Sequence, residues 1–509
     1  MKRRVASPTV RDDGPVLTSA TANADVVRRL LSEPGDLIVK VLNPGASGQR
    51  IVVCCIDGLV DRTLIDERVL RPLLSHAPME DRAFERADFM AWLCESVLPL
   101  QETRLFEEMT AAIDAMLQGD SLVFADGSIL ALAVGSRGMK TRSIEEPQTE
   151  ALIRGPRDGF TEDIRTNTSL IRRRIRDANL KMVSRTVGRR SRKELIVVYV
   201  EGIANPELVA EVMRRVKTID MDDPEGSGFV EQWISDHALS PFPQVTNTER
   251  PDKVSGALLQ GRVAIMVDGT PFQLIVPSTL STFFQSPEDF YQNWIIATGL
   301  RLLRYFAAFI ATFLPALYIA LLEYHHGMLP SRLAFSIAGT REGVPFPAFV
   351  EAFIMEATLE LLREAGIRLP KPIGQTIGIV GGLVIGEAAV QAGVVSPIMV
   401  IVVAVTAITS FALPAYSFAI SLRVVRFGVM VSATLFGLYG VILVYIAINI
   451  HLVNLKTFGI PYTTPIAPTF LKDWKDLLLR SPVMQMKERP GMLKTGETER
   501  MPDVEEDAK

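Results

Sequence analysis

Cysteine and histidine are scarce in this chain, at three and five among 509 residues. Cys54 and Cys55 are adjacent. Neighbours on a strand point to opposite faces, so these two make a poor disulfide. Buried free thiols in a reducing compartment are expected instead. His76, His237, His325, His326 and His451 have no metal-ligand spacing with cysteine or with one another, so no metal site and no cofactor is expected. A phosphate-binding glycine loop ending in Gly-Lys-Ser/Thr, a Gly-x-Ser-x-Gly elbow and a His-Glu-x-x-His pair are all missing, which argues against an enzyme. Net charge is only −4, giving no reason to invoke nucleic acid. No apolar stretch follows Lys2, Arg3 and Arg4. A secretory signal is therefore not expected, and the first domain is expected to be cytosolic.

Long charge-free runs are present. Tyr305–Leu322 and Phe427–Leu455 carry no charge, and between Lys371 and Arg423 the only charge is Glu387. Such runs meet the length of roughly 20 residues that crosses a bilayer. Residues up to about Gln292 are rich in charge and read as soluble. The fold class expected is therefore α/β plus α-helical membrane protein, with a cytosolic head of two mixed α/β subdomains before a multi-span helical domain. The expected boundaries are a disordered tail over 1–24, subdomains over 25–141 and 142–290, a transmembrane domain over 291–455, and a cytosolic or interfacial tail over 456–509.

Within the head, Leu37–Leu42 and Ile51–Cys55 read as strands, and Leu64–Leu74, Phe84–Leu98 and Thr103–Leu117 as helices. A hairpin is expected around Asp126-Gly127. In the second subdomain Glu162–Ile175 reads as a basic helix, with Arg172, Arg173, Arg174 and Arg176 offering an exposed face or a lipid contact. Lys181–Val187 and Glu194–Val200 read as strands, and a hairpin is expected around Asp268-Gly269. No strong repeat is visible residue by residue.

Four apolar segments are expected to span: Trp294–Leu322, Ile373–Gly393, Ser396–Leu422 and Phe427–Leu452. Four crossings return the tail to the cytosol but leave Arg423 and Arg426 outside, against the positive-inside trend. A fifth crossing at Phe346–Leu362 repairs those arginines and exports the tail. Charge leaves both counts open.

Gly374, Gly378, Gly382 and Gly386 recur every four residues and share one helix face. In a bilayer that bare ridge reads as a packing seam, within one subunit or between subunits. Thr376, Glu387 and Gln391 form a polar strip beside it, and Thr406 and Ser410 a similar pair on the next segment. These are candidate pore-lining residues, or interhelical hydrogen-bonding groups. Glu356, Glu360 and Glu364 form a column that reads as a cation vestibule, or as a solvated helix face paired with Arg363 or Arg341.

Several strings resemble a known family. They include Gly155-Pro156-Arg157-Asp158-Gly159-Phe160, Tyr199-Val200-Glu201-Gly202-Ile203-Ala204 and Pro241-Phe242-Pro243-Gln244-Val245. Thr248-Glu249-Arg250-Pro251-Asp252, Phe284-Gln285-Ser286-Pro287-Glu288-Asp289 and Phe458-Gly459-Ile460-Pro461-Tyr462 belong to the same set. From about residue 25 to about 490 the chain resembles the A subunit of spore germinant receptors, the GerA family. The resemblance implies a multi-pass receptor subunit of the spore inner membrane. It also implies a transporter-like B subunit and a lipoprotein C subunit as partners, membrane lipid, and homo-oligomerisation into a nutrient-gated cation channel. Val267-Asp268-Gly269-Thr270-Pro271-Phe272 resembles the receptor branch better than the related A-like branch encoded with dipicolinate channel genes. A non-conducting scaffold that couples the germinant-binding partner is the alternative. A carrier ranks last, because prolines are present without an inverted repeat.

Overall fold

The computed structural model describes residues 14–31, 35–44, 49–76, 89–98, 100–138, 146–147, 149–368 and 386–501. They form two compact units. One holds the described residues up to Asp236, Val245–Ser278 and those from Met484 onward; the other holds His237–Gln244 and Thr279–Val483. We call them the head and the helical unit.

The head begins with helix α1 (Ala20–Leu30), capped by the Ser19 side chain, which accepts from the Ala22 amide. Strands β1 (Leu37–Leu42), β2 (Ile51–Ile56) and β3 (Thr103–Phe106), helix α2 (Met109–Leu117), and strands β4 (Ser121–Ala125) and β5 (Ala131–Val134) follow. The five strands form one antiparallel sheet in the order β1-β2-β4-β5-β3. Both faces are covered, which is why β2 is buried at every position. Val52, Cys54 and Ile56 face a core with α1 and α2. Ile51, Val53 and Cys55 face another with the helical stretches at 62–76 and 89–97. The two cysteines thus point into opposite cores, as strand alternation requires. The helix expected over Thr103–Leu117 is instead an edge strand followed by α2; backbone pairing of Thr103–Phe106 with β5 overrides its local periodicity.

The second half holds α3 (Ile164–Arg174), β6 (Leu180–Val187), β7 (Lys193–Val200), α4 (Pro206–Lys217), α5 (Ser227–Ile234), β8 (Thr246–Thr248), α6 (Pro251–Leu259), β9 (Val263–Val267) and β10 (Gln273–Val276). Its sheet runs β6-β7-β9-β10-β8, the same permutation as the first, and its strand pairs are also antiparallel. The likeness extends to single atoms. Asn23 accepts from the Leu17 amide at 2.8 Å and donates to the Leu17 carbonyl at 2.7 Å. Asn167 does the same to Thr161, at 2.8 and 2.6 Å. Asp126 accepts from the Ala20 amide opening α1, and Asp268 from the Ile164 amide opening α3. The two head subdomains are therefore structural repeats that the sequence conceals.

In the helical unit, α7 (Trp294–Glu323) is capped by Asn293 and contains Pro315. Helices α8 (Ser331–Arg341), α9 (Ala348–Arg368), α10 (Gly386–Gln391), α11 (Pro397–Phe411) and α12 (Tyr416–Asn454) follow. Helix α11 starts on Pro397, where a missing amide proton does no harm, with Ser396 as its cap. Helix α12 is not straight. Gly437 takes φ 58° and ψ −141°, a conformation open to glycine. A Cβ on Gly440 would lie 2.1 Å from the Ser432 carbonyl oxygen, so the chain folds back on itself there. The Tyr324 side chain packs where a Gly437 Cβ would stand. Helix α12 is thus a tight hairpin of arms 416–436 and 438–454.

Two expected spans are corrected by this geometry. Ser396–Leu422 breaks at 412–415, around Pro414, and Phe427–Leu452 reverses at Gly437. Hydropathy counts apolar residues and does not register one glycine with positive φ. Arg423 and Arg426, which strained the crossing count, belong to no loop and lie inside the first arm of the hairpin.

Candidate functional site

Helix α9 carries Glu351, Glu356, Glu360, Arg363 and Glu364, with 356, 360 and 363 on one face. The first α12 arm runs antiparallel to it. Glu356 meets Arg426 at 2.6 Å, and both are buried. One turn along, Glu360 meets Arg423 at 2.8 Å and Arg363 at 2.6 Å. Arg363 lies over the Phe411 ring at 5.2 Å, and Arg423 over Tyr416 at 5.8 Å. At the other end of α9, Glu351 is fully buried. Its Oε2 accepts from the Ser396 amide at 2.9 Å, and Arg341 Nη2 lies 3.0 Å from Oε1.

This charge ladder is incompletely coordinated. Glu356 Oε1, Arg423 Nε, Arg426 Nε and Arg426 Nη2 are buried with no hydrogen-bond partner among the described residues. Glu364 stands outside the ladder, exposed and paired with Arg368 at 2.6 Å. Of the expected acidic column, two members are thus engaged by arginines from α12 and one faces outward. The sequence holds Arg423 and Arg426 in plain view. Reading them as loop charges hid their partners.

Gly374, Gly378, Gly382 and Thr376 lie outside the described residues. Gly386 opens α10 and is buried, and a Cβ there would stand 3.7 Å from Val400 of α11. Gln391 donates to Glu387 at 3.1 Å, and both residues are exposed. Thr406 and Ser410 are buried, and the Thr406 hydroxyl donates to its own helix at the Val402 carbonyl, 2.7 Å away. The two polar pairs therefore differ in environment, one at the surface and one inside.

The head supplies a feature the sequence reading missed. A cleft of about 530 Å³ opens between its two sheets, lined by Asp57, Asp61, Arg62, Asp163, Arg165 and Arg173 among others. Arg62 binds Asp57 at 2.6 Å, and Arg165 reaches Glu194 at 2.9 Å and Asp57 at 3.9 Å. Its walls come from segments about a hundred residues apart, and no local motif announces that meeting. The basic helix expected nearby is only in part an open basic face, with Arg173 and Arg176 exposed. Arg172 of α3 is buried on Asp36 at 2.8 Å, and Arg174 binds Asp158 at 2.6 Å. Burial pushes the Cys54 thiol up to about 12 and Cys55 to about 11, so neither offers a thiolate near neutrality. Among the described residues no cluster of histidine, cysteine or carboxylate has the makings of a metal site.

The parts define a class: an antiparallel α/β head of two like halves joined to a helical unit in which α7 and the apolar run of α12 have the length and hydropathy of membrane spans. The chain matches the Bacillus/Clostridium GerA spore germination protein family over residues 25–492, and it belongs to that family. It is 48% identical to spore germination protein GerLA of Bacillus cereus, over 92% of this chain and 94% of that one. It is 45% identical to spore germination protein B1 of Bacillus subtilis, over 92% and 96%. A crystal structure of the N-terminal domain of the A subunit of the Bacillus megaterium spore germinant receptor GerK3 aligns with 52% of this chain and 97% of that one, at 30% identity and a TM-score of 0.42.

Proposed function

We propose that this chain is the A subunit of a nutrient germinant receptor. In this reading it sits in the spore inner membrane as a multi-pass protein, with its head in the cytosol. Copies of it assemble, with a transporter-like B subunit and a lipoprotein C subunit, into a cation channel that opens on germinant. The observation that carries the reading is membership of the GerA family over residues 25–492, and the arginine–glutamate ladder is the element of the helical unit to which function is assigned. Ionised groups within a membrane domain are expensive and mark elements that serve function. The tail is consistent with an even number of crossings. Gly496 packs against the Gly202 carbonyl and Thr495 against Gly261, so the last described segment folds with the head. Head and last described segment then lie on one side of the membrane in this reading.

The glycine ridge from Gly374 to Gly386 is the proposed seam between copies, with Thr376, Glu387 and Gln391 as the proposed wall. Thr406 and Ser410 support that wall from behind, and Glu364, exposed and paired only with Arg368 of its own helix, is the member of the acidic column that faces cations. The test is potassium flux from vesicles holding the full receptor. Gly382→Leu is expected to abolish assembly and flux, and Glu387→Gln to reduce flux at unchanged protein level. If both variants left assembly and conductance as they were, the wall would be wrong. A non-conducting scaffold is favoured by one observation, the engagement of Glu356 and Glu360 by arginines rather than by an aqueous path. Germinant-triggered flux that changes with Glu387 would count against it.

A further inference from the structure

The spacing of the ladder carries a consequence for movement. Carboxylates stand on α9 at 356, 360 and 364, one helical turn apart. Their partners on α12 are two guanidinium groups at 426 and 423, also one turn apart and running the opposite way. Three acids spaced four residues apart thus stand against two bases spaced three apart, with only Glu356 and Glu360 engaged. Two registers satisfy the arginines. In the register observed, Glu356 holds Arg426 and Glu360 holds Arg423. If α9 slid by one turn, Glu360 would hold Arg426 and Glu364 would hold Arg423.

Other positions of α9 repeat at the same interval. Ala348 and Ala352, Phe349 and Phe353, and Met355 and Leu359 are each four residues apart, so several apolar sites would receive a similar side chain after the slide. Few apolar groups oppose it, because the buried residues of α9 are Ala348, Ala352, Met355 and the acids Glu351 and Glu356. The partnerless nitrogens of Arg426 and Arg423 leave each able to take a second carboxylate while the first departs. Glu364 is available, because its present partner Arg368 is exposed and on the same helix.

Three contacts among the described residues hold the observed register: Arg363 over Phe411 gives way to Ile367 one turn along, the Phe349 amide leaves Glu323, and Glu351, the most deeply buried, leaves its partners. Glu351 has no counterpart one turn along, where Met355 stands. A slide would leave the Ser396 amide and Arg341 without their carboxylate. We propose that α9 is a two-register ratchet, locked at one end by Glu351 with Arg341 and Ser396, and indexed at the other by Arg423 and Arg426. A one-turn ratchet is one of the ways packed elements shift, and it suits a helix whose charged contacts repeat every turn and are unpaired in between. This rests on the reading of the helical unit as a membrane domain and supplies the two-state element that gating requires.

The test uses the full chain in lipid vesicles, with Cys54, Cys55 and Cys94 replaced and nitroxide labels at Leu361 of α9 and Leu435 of α12, both exposed. The slide moves residue 361 toward residue 435 by about 6 Å, four residues at 1.5 Å each. Glu351→Gln is expected to raise a second, shorter distance. Where that variant fails to fold, Arg341→Gln opens the same lock from its more exposed side. Adding Glu364→Gln to either is expected to abolish the shorter distance and leave the longer one, since Glu364 touches nothing in the observed ladder. A single distance in the unlocked variants, or a shorter distance that survives Glu364→Gln, would overturn the ratchet. Distances are read whether or not ions flow. A working ratchet without flux would sink the channel alone, and flux with an immobile α9 would sink the ratchet alone.

Discussion

Head and helical unit both bury arginine against carboxylate, and they complete the job differently. In the head, Arg250 is fully buried, binds both oxygens of Asp252 at 3.0 and 3.1 Å, and donates to the Glu150 and Pro156 carbonyls. Arg172 holds both oxygens of Asp36 at 2.8 and 3.2 Å and reaches the Asp177 carbonyl. In the helical unit, Arg426 donates through Nη1 to Glu356 and leaves its other nitrogens unused among the described residues. A closed guanidinium fixes one geometry, because every alternative loses hydrogen bonds. An open one tolerates a change of partner. Arg250 and Arg172 of the head behave as rivets between segments, and Arg423 and Arg426 of the helical unit as contacts that can be remade.

The largest expected effect tests that contrast directly. Arg172→Met leaves Asp36 buried and uncompensated and is expected to destabilise the head by about 3–5 kcal/mol. Arg426→Met is expected to destabilise the helical unit by less, because Arg426 makes one hydrogen bond, to Glu356, where Arg172 makes three. Urea unfolding of the full chain, followed by hydrogen exchange resolved to each unit, measures both. Equal losses, or a larger loss at Arg426, would erase the distinction.

A second comparison lies inside the head. Asn23 and Asn167 make the same reciprocal pair of hydrogen bonds at equivalent places in the two subdomains. Each truncation to alanine leaves a backbone amide and a carbonyl without partners and is expected to cost about 1–3 kcal/mol. If the repeat is energetic as well as geometric, the two costs agree within about 1 kcal/mol, and exchange protection falls first in the subdomain that carries the change. A large loss at one site and none at the other would show the halves to be alike in path only.

The alternation of strands and helices, both Asp-Gly hairpins, the opposed faces of Cys54 and Cys55 and the start of α7 were legible in the sequence, because each depends on local pattern. The repeat was hidden because it resides in topology and in Asn and Asp contacts, while the apolar residues around them differ between the halves. The hairpin in α12 was hidden because one glycine reverses a run that stays apolar on both sides. At the candidate site, the glutamate column was visible by its four-residue spacing. Its partners were not, because Arg423 and Arg426 lie more than sixty residues on and in an apolar segment. The cleft in the head, built from distant charged turns, left no periodic trace.

The smallest expected effect separates the head's rivets from a strained carboxyl close by. Burial pushes Glu231, on α5, up to about 7, with no cation contributing to the shift. In the unfolded chain the same group titrates near 4.5. Between these values the unfolded chain releases a proton that the folded head retains, so stability falls as pH rises through that window. Glu231→Gln removes the titration. The variant and the native chain are expected to share a urea midpoint at pH 4, and the variant is expected to have the higher midpoint at pH 8. A paired carboxylate such as Glu211, held down to about 2 by Arg214 and Arg215, behaves in the opposite sense, with its contribution present at neutrality and lost in acid. Glu211→Gln is therefore expected to lower the midpoint at pH 8 and to leave it unchanged near pH 2. If Glu231→Gln lowered the midpoint at pH 8, Glu231 would have an ionic partner in solution, and the head would rivet that carboxyl as it does the others.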